Sequence, residues 1–101
     1  MLPYDTPLAK LLNENRAAIL SICAEHRGRN VRVFGSVARG EDTPESDVDL
    51  LIEAGPRFSL FDLVDIEEST EKLLNRRVDV VTEGGVSKYI KDQVLKSAIP
   101  L

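Results

Sequence analysis

Residues 35–50 read GSVARGEDTPESDVDL. A Gly-Ser pair, an Arg-Gly pair and an Asp-x-Asp triplet follow one another, with ten residues between Ser36 and Asp47. Strand signals bracket the stretch. Val31, Val33 and the neighbouring Phe34 form a short apolar run that stops at Gly35. Beyond the polar residues Gly40–Ser46, Val48, Leu50 and Ile52 alternate with Asp47, Asp49 and Leu51, the period of two expected of a strand. Ser36–Arg39 supplies one helical turn between them. This strand–turn–strand unit decides the fold.

On the N-terminal side, Thr6-Pro7 reads as a helix start, with Thr6 as cap and Pro7 in the first turn. Leu8, Leu11, Leu12, Ile19, Ile22 and Cys23 recur at helical spacing, and Gly28 is expected to end that single helix. On the C-terminal side, Gly55-Pro56 breaks the second strand. Ser59 with Asp62 opens a helix whose inner stripe is read as Leu60, Leu63, Ile66, Thr70 and Leu73. Val78–Val81 is a third strand and Gly84-Gly85 a turn. Ser87 then caps a last helix with Ile90, Val94, Leu95 and Ala98 inward.

The short link between the first two strands permits an antiparallel pair, whereas the helix between the second and third favours a parallel, right-handed crossover. The expected fold class is α/β, of the α+β type: one domain over residues 1–101 with a small mixed three-stranded sheet flanked by helices. This topology brings the end of the first strand and the starts of the other two to one sheet edge. Gly35, Ser36, Asp47, Asp49 and Asp79 meet there.

Composition narrows the function. At 101 residues, 43% hydrophobic and 30% charged, the chain is an ordinary globular domain, and a net charge of −4 argues against coating nucleic-acid backbone. The single Cys23 excludes an intrachain disulfide, and no run approaches the roughly 20 apolar residues of a membrane span. The residues from Met1 to Lys10 lack the pattern of a signal peptide, so a cytoplasmic location is expected.

Asp47 and Asp49 would project from one strand face about 7 Å apart, with Asp79 joining them from the next strand. Carboxylates this close repel one another, and two Mg²⁺ ions would relieve the repulsion. Ions ~4 Å apart can stabilise the attacking and leaving oxygens of nucleotidyl transfer. Gly35 lets backbone approach a phosphate, Ser36 offers its hydroxyl and the amides of a helix start, and Arg39 lies on the same helical face as a phosphate clamp. Taken singly these are bland: Asp-x-Asp is a common wet strand face and Gly-Ser a common turn. Their joint order carries the information. His26 and Cys23 read as structural, Arg76-Arg77 as a solvated turn, and Lys88, Lys91 and Lys96 as a soluble helix face; Tyr4 and Tyr89 carry no assignment beyond possible modification.

With GSVARG, SDVDL and VDVV in place, the sequence resembles the minimal nucleotidyltransferases (MNT proteins) of the polymerase-β-like superfamily over almost its whole length. The resemblance implies the nucleotidyltransferase fold, with Gly35 and Ser36 holding the triphosphate of ATP and Asp47 and Asp49 ligating Mg²⁺. It further implies that Asp79 completes the metal site and that Arg39 occupies the family's basic position. It implies an antitoxin paired with a HEPN-domain ribonuclease toxin, neutralised by AMP transfer to a tyrosine, hence a hetero-oligomer without direct nucleic-acid or membrane binding. Little of the chain is left for an acceptor pocket, in keeping with a protein acceptor. A non-catalytic antitoxin that masks its partner, and an ATP-binding sensor, are the alternatives.

Overall fold

A computed structural model describes residues 2–85 and 91–101. Ser87, Lys88, Tyr89 and Ile90, singled out above, lie outside the described residues.

The elements follow the expected order with two additions. The first helical segment is two helices, α1 (Pro7–Glu14) and α2 (Arg16–Glu25). Asn15 separates them at φ −105°, ψ 12°. Its side-chain amide donates to the Leu11 carbonyl at 2.9 Å, the local competition by which Asn interrupts helices. The left-handed residue after α2 is Arg27 (φ 64°), not Gly28, which already begins β1 (Gly28–Phe34). A Cβ on Gly28 would lie 3.1 Å from Ile52 Cδ1 and 3.3 Å from the Cys23 carbonyl oxygen, so close packing under α2 favours glycine there.

After β1 come α3 (Gly35–Ala38), β2 (Val48–Ala54), α4 (Leu60–Leu74), β3 (Val78–Thr82), a 3₁₀ turn (Glu83–Gly85), α5 (Lys91–Ser97) and β4 (Ile99–Pro100). The sheet has four strands in the order β3-β2-β1-β4, where three were expected. The extra strand is two residues at an edge, where proline, lacking an N–H, is tolerated. Pairing matches the expectation: β1 and β2 are antiparallel, β2 and β3 parallel.

Val31, Val33, Leu50, Ile52, Val78 and Val80 turn one face of the sheet into the core, against Leu8, Leu12, Ile19, Cys23 and Ile66. Leu51 points the other way and is also fully buried, so the alternation read from sequence breaks at the central strand. Burial pushes the Cys23 thiol up to about 11, as suits a packing residue.

The Ser59–Asp62 capping box forms, with the Ser59 amide donating to Asp62 Oδ2 at 2.9 Å. The inner stripe of α4 is Asp62, Ile66, Thr70 and Leu74, every fourth residue. Leu63 is partly buried against the core, but Leu60 and Leu73 are exposed, correcting the stripe drawn from apolarity alone. Val94 in α5 and Ala98 just after it are half-buried, while Leu95 is exposed. Helix α4 also shields the outer edge of β3: Glu71 accepts the Val78 amide at 3.3 Å and Glu67 the Val80 amide at 3.1 Å.

Candidate active site

The strand register builds the site. Phe34, the last residue of β1, pairs with Asp49, and Asp49 pairs with Asp79 on the parallel β3. Asp49 and Asp79 therefore leave the same sheet face, and Asp47 stands just ahead of β2. Gly35 begins the next turn at φ +74°. A Cβ there would meet the Asp49 carboxylate, lying 3.2 Å from its Cγ. The turn and the central carboxylate are thus in direct contact, at a position that only glycine fills without strain. Helix α3 places Ser36 in its first turn, and the Ser36 carbonyl accepts the Glu41 amide at 2.9 Å, folding the chain back after Arg39.

Asp49 is half-buried. Its pKa rises from 3.8 to about 6, through burial first and then through the charges of Asp79 and Asp47, with Arg39 opposing. A carboxyl held this way gains from any cation brought to it. Arg39 is exposed and pairs with Glu41 at 3.0 Å, so it borders the acidic group and is available to an incoming anion.

Two arginines read from the sequence as a solvated turn border the site. Arg77 Nε lies 3.6 Å from Asp79 Oδ1 and 4.0 Å from Asp47 Oδ2, supplying counter-charge to the two outer carboxylates. Arg76 donates to the Pro44 carbonyl and, at 3.3 Å, to that of Ser46, pinning the chain just before Asp47. Arg77 is solvated as expected and Arg76 only partly so, and both make contacts that a plain turn would lack. The dipeptide gave no signal, since the contacts to Pro44, Ser46 and Asp47 cross thirty residues of sequence or more.

Among the described residues, no three or more His, Cys, Asp or Glu side chains are arranged to hold a metal ion by themselves. The oxygen-only donors, and three carboxylates that Arg77 and Arg39 offset only in part, fit Mg²⁺, which usually takes one or two carboxylates and completes its shell with phosphate and water. His26 lies 3.8 Å from Asp65 and 3.9 Å from Asp62, away from this edge. A groove of about 320 Å³ lined by Ala24, Arg27, Gly28, Arg29, Gly55 and Pro56 lies at the opposite end of β1 and β2. It holds none of the carboxylates, so chemistry rather than concavity locates the site.

The model of the nucleotidyltransferase domain matches residues 16–101. The chain belongs to that family. It is 36% identical over 88 residues to a candidate protein adenylyltransferase of Methanocaldococcus jannaschii, covering 87% of this chain and 95% of the relative. It is 38% identical over 71 residues to protein adenylyltransferase MntA of Thermococcus cleftensis, covering 70% and 72%. A solved structure of a candidate minimal nucleotidyltransferase superposes with TM-score 0.84 at 45% identity, over 92% of this chain and 95% of that one. A toxin–antitoxin crystal structure with AMP-PNP shares the fold, with TM-score 0.73 at 19% identity over 85% and 71%. The nucleotidyltransferase fold and enzyme class expected from the motifs stand. Among the described residues, no helix is long and apolar enough to cross a membrane.

Proposed function

We propose that this nucleotidyltransferase moves AMP from ATP to a tyrosine of a partner protein, a HEPN-domain ribonuclease toxin, and thereby acts as an antitoxin. The observation that carries the reading is the central carboxylate Asp49, packed on Gly35 and crowded by Asp47 and Asp79. The relatives named protein adenylyltransferase support the acceptor class, and the toxin–antitoxin fold neighbour with AMP-PNP is in keeping with donor and partner.

Gly35 and the amides opening α3 cradle the triphosphate, and Ser36 adds its hydroxyl. Arg39 leaves Glu41 to hold a phosphate oxygen. Asp47, Asp49 and Asp79 would hold magnesium jointly with the phosphates, and the metal would supply the positive charge that neutralises the phosphate oxygens. The tyrosine oxygen bonds to the α-phosphorus as the bond to the β-phosphate oxygen breaks, and pyrophosphate leaves. Asp79 takes the hydroxyl proton.

Labelled ATP, Mg²⁺ and the partner toxin test this directly, with mass spectrometry of the toxin seeking the mass of AMP on a tyrosine. The double substitution Asp47→Asn/Asp49→Asn is expected to abolish labelling while the chain stays folded. Retained turnover in that variant rejects the roles given to both residues.

A second reading is masking without chemistry. It is favoured by Leu60 and Phe61, 78% and 83% exposed at the start of α4, with Val64 beside them. Cells protected from the toxin by the double variant would support masking over catalysis. Tight ATP binding with no pyrophosphate release under any acceptor condition would point instead to a sensor.

A further inference from the structure

The loop joining the two halves of the site is held by the N-terminal segment. Thr6 occupies the cap position of α1, but its side chain makes no capping hydrogen bond. Asp42, more than nine-tenths buried and 34 residues away in sequence, does so instead: its Oδ2 accepts the Leu8 amide at 3.0 Å. Pro7 has no N–H, so Leu8 carries the first free amide of this helix. Two residues before Asp42, Gly40 (φ +69°) lies under the ring of Tyr4, where a Cβ would stand 2.8 Å from Cδ1. The segment bearing Tyr4 is itself tied down. Asn13 accepts the Leu2 amide at 2.8 Å and donates to the Leu2 carbonyl at 3.0 Å.

We propose that residues 2–13 are a brace for the loop at 40–46, and that Asp42 is a positioning residue setting the Gly35–Ser36 turn against Asp47. The inference rests on the nucleotide-binding reading above and extends it to residues ahead of the matched family domain, which starts at 16. The ten residues between Ser36 and Asp47 would otherwise be ordered at the expense of nucleotide binding, since fixing backbone opposes association. Arg76 holds the far end of this loop at Pro44 and Ser46, and the brace holds the near end. The ordering is done at folding, before ATP arrives. Its loss should therefore appear in nucleotide affinity far more than in the rate of the bound complex.

The test compares the full chain with Asp42→Ala, Asp42→Asn and Tyr4→Ala. MgATP binding is measured by calorimetry, KM and kcat by AMP transfer, and amide hydrogen exchange across residues 40–46. Asp42→Ala should raise Kd and KM for MgATP about tenfold while kcat changes by less than about twofold, and should speed exchange at 40–46 but not in β2. Asp42→Asn keeps an acceptor for the Leu8 amide and should restore both readouts to within about twofold. Should Asp42→Ala fold poorly, Tyr4→Ala loosens the same loop without touching that hydrogen bond. Unchanged KM and exchange in a folded Asp42→Ala overturn the brace, as does an Asp42→Asn variant no better than alanine. A wild-type chain that binds no MgATP defeats the functional reading instead, and the exchange data still decide the brace.

Discussion

Replacing Asp49 by Asn should make the metal-free protein more stable at neutral pH. The folded chain holds the Asp49 proton up to about pH 6, against an ordinary 3.8. A native state that binds a proton more tightly than the unfolded chain loses stability as pH rises through that interval. The ionised form is therefore a burden that is complete above about 6 and absent below 3.8. The full difference corresponds to about 3 kcal/mol. Half-burial leaves water to screen the group, which brings the expected figure to about 1–2 kcal/mol. Urea denaturation with a chelator at pH 4 and pH 7 measures it, and a thermal melt should move by about 4–8 °C per kcal/mol. Asp49→Asn should match wild type at the lower pH and exceed it at the higher. Saturating Mg²⁺-nucleotide should reverse the ranking, because ligand at a hundredfold over Kd adds about 2.7 kcal/mol to the protein that binds it. Wild type more stable than the variant at pH 7 without metal, or a gap independent of pH, would refute the account of Asp49 as a carboxyl raised by burial and by its like-charged neighbours.

Gly35→Ala should lose about 1–2 kcal/mol from the positive φ alone, and more because the new methyl meets the Asp49 carboxylate. Transfer should fall at least about a hundredfold by the oxyanion-site scale, and a melt alongside a transfer assay separates the two effects. Arg77→Met should change stability by less than about 1 kcal/mol, since the pairs it makes are exposed. It should tighten Mg²⁺ binding a few-fold at low salt by removing a competing cation, an advantage that high salt erases. Calorimetric titration at both ionic strengths checks this, and equal affinities in wild type and variant reject the competition.

Particular residues show how far the sequence could be read. The turn at Gly35–Ser36 and the alternation around Asp49 were legible because each is a local pattern whose register follows from chain geometry. The break at Asn15 was missed because Leu8, Leu11, Leu12 and Ile19 keep helical spacing across it, and a side-chain hydrogen bond rather than hydrophobicity interrupts the helix. Leu60 and Leu73 were placed inside because apolarity does not say which side of a helix meets the sheet. Packing turned the face of Asp62, Ile66, Thr70 and Leu74 inward instead. Strand β4 is too short to have a period at all.

By itself the sequence determined the strand order around the site, the sense of each main pairing and the chemical kind of group at the sheet edge. These depend on residue spacing and on the length of the connecting segments. Only the tertiary structure decided the surroundings of those groups: Gly35 against Asp49, Arg77 between two carboxylates, Asp42 capping a helix at Leu8, 34 residues before it. Such contacts join residues with no fixed separation along the chain. Packing chooses them, and no local pattern encodes the choice.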